Sequence, residues 1–211
     1  KHSYYSWLLV LLLLCTTNDN VQALRIVLAG GTGRLGRNVA ATLQDHTVTI
    51  LSRNAFLAST PSRVTEQFGW LGYYFLEENP HVAIRDWDGG DLTDIVGCDF
   101  LGWQDDTLPL ADVVVNLVGG YTKQREMATE RLVRESIRLN PMALQITVSP
   151  KVEDLKALTP GAFQMKVARL QLCEDMVLKN CIHSKALRLN AFDTEKSVQV
   201  IVESILSGSQ N

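Results

Sequence analysis

Hydrophobic positions along the chain fall into two patterns. Short apolar runs rich in β-branched residues occur at Ile26-Val27-Leu28, Thr47 to Leu51, Val82 to Ile84, Ala111 to Val118, Ala143 to Val148 and Lys185 to Leu189. Runs of this kind are strands, and those with little alternation are strands covered on both faces. Between them, apolar residues recur every three or four positions, the period of a helix with one buried face. The first such helix opens near Arg34 with Val39, Ala40 and Leu43. A second is expected within Ala55 to Pro80, carrying Val64, Phe68, Leu71, Tyr74 and Phe75 despite Gly69 and Gly72, with Trp70, Tyr73 and Tyr74 as a packing cluster. A third follows Thr122, read as its N-cap, with Met127, Leu132 and Ile137 buried and Glu130–Arg134 and Arg131–Glu135 as one-turn charge pairs. A fourth spans Phe163 to Lys179 with Phe163, Val167, Leu170 and Val177 on one side, and a fifth spans Ser197 to Leu206. Strands alternating with helices, with no internal repeat, predict an α/β fold: a single doubly wound parallel sheet of about six strands, order 3-2-1-4-5-6, with helices on both faces.

Composition narrows this picture. With 211 residues, 46% of them hydrophobic, the chain can bury one substantial core. A formal charge of -3 offers no basic field, which argues against nucleic acid as a partner. Cys15, Cys98, Cys173 and Cys181 show neither a CxxC pair nor zinc spacing, so buried free thiols are expected rather than a disulfide framework. Lys1 and His2 precede an apolar run from Trp7 to Cys15, then a polar TTNDN and Val21-Gln22-Ala23, which is a signal-peptide pattern. The expected division is therefore residues 1–23 as leader and 24–211 as the folded domain, with entry to the secretory pathway. A plastid or mitochondrial address through a composite leader is the alternative. The apolar run is shorter than the roughly 20 residues a spanning helix requires, so no membrane span is expected.

Candidate chemistry concentrates where the first strand meets the first helix. Leu24 to Gly36, LRIVLAGGTGRLG, ends its apolar run in Gly30, Gly33 and Gly36 at three-residue spacing. Glycines there allow positive φ and close backbone approach, and they place a pyrophosphate on the N–H groups of a helix start. Thr32, Arg34 and Leu35 belong to the same turn. Arg34 and Arg37 either add to the phosphate pocket or are solvated. At the end of the second strand stands Arg53, with no Asp or Glu beside it, a pattern that favours the 2′-phosphate of NADP over the ribose hydroxyl of NAD. Val118, Gly119 and Gly120 end the fourth strand on the same edge of the sheet. A phosphate-hydrolysing loop is excluded, because Arg37-Asn38 stands where Lys-Ser/Thr is required. The acidic stretch Asp86 to Asp91 lacks the glycine and closing glutamate of a calcium loop. His46, His81 and His183 have no ligand partner at a metal-binding spacing, and no metal site is expected.

The chain resembles the short-chain dehydrogenase/reductase superfamily, in the extended or atypical branch that includes NAD-dependent epimerase/dehydratases. The resemblance rests on Ala29-Gly30-Gly31-Thr32-Gly33-Arg34-Leu35-Gly36, on Ser52-Arg53, on Gly90-Asp91-Leu92, on Asn116-Leu117-Val118-Gly119 and on Arg188-Leu189-Asn190. It implies dinucleotide contacts from Gly30, Thr32, Gly33, Arg34, Leu35, Gly36, Arg53, Asp91, Leu92, Val118, Gly119 and Lys166, with Asp91 and Leu92 at the adenine. Two departures bear on activity. The family's Tyr-x-x-x-Lys pairs a tyrosine acid with a lysine, but Ala162 stands four residues before Lys166. Losing such an acid costs roughly a factor of 10² to 10⁴. The family's substrate lobe follows the sixth strand, and here Asn190 leads almost directly into the last helix. The expectation is an NAD(P)-binding protein with little standard redox catalysis, acting as a cofactor-binding or structural subunit with a possible protein partner or complex. The alternative is an NADP-dependent oxidoreductase or epimerase-like enzyme that uses a nonstandard acid such as Lys166 or Tyr121.

Overall fold

The computed structural model describes residues 22–60, 71, 73–89, 102–119, 122–158 and 161–208. In chain order the elements are β1 (Arg25–Ala29), α1 (Arg34–Thr42), β2 (Thr47–Ser52), α2 (Ala55–Ser59), α3 (Tyr73–Glu78), β3 (Val82–Asp86), α4 (Trp103–Thr107), β4 (Val113–Asn116), α5 (Lys123–Leu139), β5 (Leu144–Pro150), α6 (Val152–Leu158), α7 (Phe163–Asn180), β6 (Ser184–Leu189) and α8 (Thr194–Gly208). All six strands pair in parallel in the order β3-β2-β1-β4-β5-β6. Strand order reverses between β1 and β4, which opens a crevice beyond their carboxyl ends.

The apolar runs have a direct structural reason. Alternate residues of each central strand serve opposite faces, and helices cover both. Ile26 and Leu28 of β1, with Val48, Ile50, Val113 and Val115, pack on Val39, Ala40 and Leu43 and on Ile201 and Ile205 of α8. Val27 and Ala29, with Leu51 and Val114, pack instead on Trp87, Trp103, Leu108 and on Ala128 and Leu132 of α5. Register fixes this sorting: Ile26 lies opposite Val48 and Val113, and Leu28 opposite Ile50 and Val115. A one-residue slip would send each set to the wrong face. Trp87 and Trp103 meet edge to face with centroids 5.4 Å apart, closing the second layer over the end of β3.

Several expectations need correction. The single helix expected over Ala55 to Pro80 is two short helices among the described residues, α2 and α3, with Leu71 outside either. Val64, Phe68 and Trp70 lie outside the described residues, and Tyr74 is exposed rather than packed. Thr122 occupies the N-cap position of α5 but its side chain makes no capping bond. Leu132 is buried as expected, whereas Ile137 is exposed, because the sheet-facing stripe of α5 runs through Ala128, Leu132 and Ser136. Both expected ion pairs of α5 form, Arg134 with Glu130 and Arg131 with Glu135. The leader expected over residues 1–23 falls almost wholly outside the described residues. Among the described residues no helix is long and apolar enough to cross a membrane.

Candidate functional site

Gly30 turns the chain out of β1 with φ +78, a conformation that L side chains rarely adopt. A β-carbon there would also lie 2.8 Å from the backbone nitrogen of Val118, so the turn after β1 packs directly on the turn after β4. Gly36 is a glycine for a different reason: its α-carbon faces Gly31, and a β-carbon would overlap the Gly31 backbone. Gly33 is the N-cap of α1, in ordinary extended backbone at φ -74, with no side chain capping the helix and no acidic residue in its first turn. Only the Gly30 carbonyl, at 3.7 Å, approaches the position of a β-carbon there. The protein itself would accommodate a side chain at Gly33, so the open space in front of it lies in the cleft. The helix start therefore presents unsatisfied N–H groups and the positive end of its dipole to that space.

The turn forms one end of a cleft of about 660 Å³. Gly30, Thr32 and Gly33 line the α1 end. Ser52, Arg53, Trp87 and Gly89 form a second wall, and Val118, Gly119, Lys123 and Gln124 a third. Arg53 and Lys123 are cations, and no carboxylate is among the described residues lining the cleft. Arg53 is held by its surroundings. Gly89, at φ +62, passes beneath it so closely that a β-carbon would lie 2.9 Å from Arg53 Cδ, and Gln124 Nε2 donates to the Gly89 carbonyl at 2.8 Å. The nearby carboxylate of Asp86 is occupied: it accepts from Ala55 N at 2.6 Å and secures the start of α2. Asn54 Oδ1 caps the same helix by accepting from Leu57 N at 2.8 Å.

The β4 edge is stiffened from within. Asn116 Oδ1 accepts from Val118 N at 3.1 Å while its amide donates to Thr129 Oγ1 at 2.9 Å. Behind this edge lies Arg125, 2% exposed. Its guanidinium donates to the carbonyls of Val118 and Val148, each at 2.7 Å, and to Ser149 Oγ at 3.1 Å. Burial pushes its pKa down from the ordinary arginine value, opposed by Cys173 and Glu174 nearby.

Of the residues expected at the site, Gly30, Thr32, Gly33, Arg53, Val118 and Gly119 meet in this one cleft. Arg34 is exposed at the start of α1 and Leu35 lines the adjoining pocket rather than this one. Gly36 is buried in the packing of α1 on the β1 turn. Lys166 lies on α7, half-buried, and is not among the residues lining the cleft. Asp91, Leu92, Gly120 and Tyr121 lie outside the described residues. Sequence reasoning missed Gly89, Gln124, Lys123 and Arg125, although the Asp88-Gly89-Gly90 turn signal marked the first of them. His46 and His81 serve the fold: His46 Nδ1 accepts from Leu24 N, and His81 Nε2 bonds the Ala40 carbonyl. Among the described residues no group of His, Cys, Asp or Glu could hold a metal ion, and Cys173 and Cys181 are free thiols.

Solved structures share this architecture. The fold is Rossmann-like. A protein from Thermus thermophilus assigned as a short-chain oxidoreductase superposes with TM-score 0.54 at 16% identity, covering 85% of this chain and 95% of its own. The enzyme WbmH of Bordetella bronchiseptica, solved with NAD+, gives 0.57 at 10% identity over 90% of this chain and 73% of its own. An NADH-dependent reductase complexed with NAD gives 0.56 at 12% identity, covering 89% and 88%. No family sequence model and no curated protein sequence matches the chain. At these identities the likeness concerns the Rossmann-like fold.

Proposed function

We propose that this protein binds a nicotinamide dinucleotide in the cleft between the β1 and β4 turns, with NADP preferred over NAD. The observation that carries the reading is the α1 start: an uncapped helix N-terminus behind Gly33, with open space in front and two cations among its walls. Backbone N–H groups of the Gly30–Leu35 turn would hold the pyrophosphate. Arg53, steadied over Gly89, would meet the 2′-phosphate. WbmH and the NADH-dependent reductase, relatives in fold, were solved with NAD+ and NAD, which supports the class of cofactor.

Bound there, the dinucleotide supplies hydride chemistry. The chain's own residues supply little of the usual proton chemistry: Ala162, four residues before Lys166, stands at the N-cap of α7 in the left-handed region, φ 53. We infer a cofactor-binding role with little standard dehydrogenase turnover. Titration calorimetry with NADPH and NADH tests the binding, with NADPH expected tighter. Absence of heat with either nucleotide overturns the reading. NADPH oxidation measured against a panel of carbonyl compounds tests the second part, and rates typical of dehydrogenases would overturn it. The leader reading of residues 1–23 supports secretory-pathway entry as part of the same proposal, tested by amino-terminal sequencing of the mature protein.

A further inference from the structure

Arg53 is exposed, and a long flexible cation at a surface gives up its rotamer freedom when it grips a ligand, unless its stem is already held. The stem of Arg53 lies against the turn after β3. A β-carbon on Gly89 would stand 2.9 Å from Arg53 Cδ and 3.0 Å from Cγ, so these two methylenes rest on bare glycine backbone. The height of that backbone under Arg53 decides where the guanidinium stands in the cleft.

The sheet sets this height only in part. The pairing of β2 with β3 ends at Ser52 and Asp86, and Trp87 N adds one further bond to the Ser52 carbonyl at 3.0 Å. Beyond Trp87 the turn is held from α5 at two points. The Asp88 carboxylate meets Arg131 Nε at 3.5 Å, and the Gly89 carbonyl accepts from Gln124 Nε2 at 2.8 Å. Gln124 and Arg131 are seven residues apart, about two turns of helix, and so share one face of α5. The two anchors differ in what else they touch: Gln124 lines the cleft together with Arg53 and Gly89, whereas neither Asp88 nor Arg131 does. Gly89 is buried, so its carbonyl has little water to turn to if the amide is withdrawn, and the turn has to shift to regain a partner.

We propose that Gln124 is a positioning residue for cofactor choice, which rests on the dinucleotide reading: by bonding the Gly89 carbonyl it holds the shelf under Arg53, and the guanidinium stands ready for the 2′-phosphate of NADP. The determinant then lies partly on α5, 71 residues along the chain from the arginine it serves. The test is calorimetric titration of the full chain with NADPH and with NADH, with melting curves to show that each variant is folded. Gln124→Met keeps the length of the side chain without a donor, and Gln124→Asn keeps the amide but is one methylene short. Each is expected to weaken NADPH about fivefold, as for one lost hydrogen bond, and to leave NADH unchanged. In the Arg53→Ala background the same substitutions are expected to have no further effect on NADPH, because the two residues act as one unit. An equal loss for both nucleotides, no loss for either, or a fivefold loss that persists in the Arg53→Ala background each overturns the proposal and leaves the dinucleotide reading standing. No heat with either nucleotide from the unmodified chain removes that reading, and the proposal with it.

Discussion

Valine at position 33 separates a ligand's space from the protein's own. The backbone of Gly33 is extended, at φ -74 and ψ 168, which valine adopts readily, and the nearest atom to a β-carbon is 3.7 Å away. The structural cost of Gly33→Val is then the poorer N-cap of α1, about 1 kcal/mol, which lowers the Tm of a chain this size by about 2–4 °C. In the cleft the added methyls stand in front of the uncapped N–H groups. If they deny a phosphate one charge-assisted bond, the loss is about 1.5–3 kcal/mol, or roughly 10- to 150-fold in Kd for NADPH. Gly36→Val is the matching control: its side chain would overlap the Gly31 backbone, so its damage shows in thermal unfolding before any ligand is added. The assay is calorimetric titration of each variant with NADPH beside its melting curve. A folded Gly33→Val protein that binds NADPH as tightly as the unmodified chain would refute the placement of the phosphates at this turn.

Arg53→Ala is expected to weaken NADPH by about tenfold and leave NADH nearly unchanged, as for loss of one charged contact, and equal effects on both nucleotides would remove Arg53 from the 2′-phosphate. Gly89→Ala is expected to act in the same direction, since its methyl meets Arg53 at 2.9 Å; the NADPH-to-NADH affinity ratio reads it out. Asp88→Ala removes one of the buried carboxylates paired with Arg131, at 3.5 Å, and should destabilise the fold by about 3 kcal/mol in urea unfolding. Burial raises the Cys181 thiol to about 11 from 9.0. The folded state thus holds that proton more tightly, so its contribution to stability is present below pH 9 and is lost as pH rises from 9 towards 11. At pH 8, alkylation of Cys181 by iodoacetamide should run about a hundredfold slower in the native protein than in urea, and equal rates would contradict the burial.

The sheet was legible in the chain because its strands are buried on both faces, which leaves apolar runs that few other structures produce. The glycine turn after β1 was legible for the same reason glycines are punctuation: Gly30 sits where a side chain has neither the φ nor the room. Arg125 was not legible. It lies in the charged stretch Lys123 to Arg134, where a cation ordinarily faces water, and the Val118 and Val148 carbonyls with the Ser149 hydroxyl draw it inward. Lys166 was placed on the correct helix from the spacing of Phe163, Val167 and Leu170, yet periodicity does not say how far along the sheet edge a helix turn will stand. Gly89 was visible as part of a turn, but its role under Arg53 is a contact between segments 36 residues apart, which no local pattern encodes.

The contact of Gly30 with Leu117 and Val118 has a kinematic consequence. Two crossover loops that begin on neighbouring strands are usually separate levers, each free to swing with its own helix. Here the backbone of one rests against the backbone of the other, and Arg125 ties the second to the end of β5. The ends of β1, β4 and β5 are therefore tied to one another by backbone contact and by one guanidinium. On the opposite wall Arg53 rides on Gly89, and the Gln124 amide joins that wall to the start of α5, so a change of side chain at Gln124 reaches Arg53 through the Gly89 backbone.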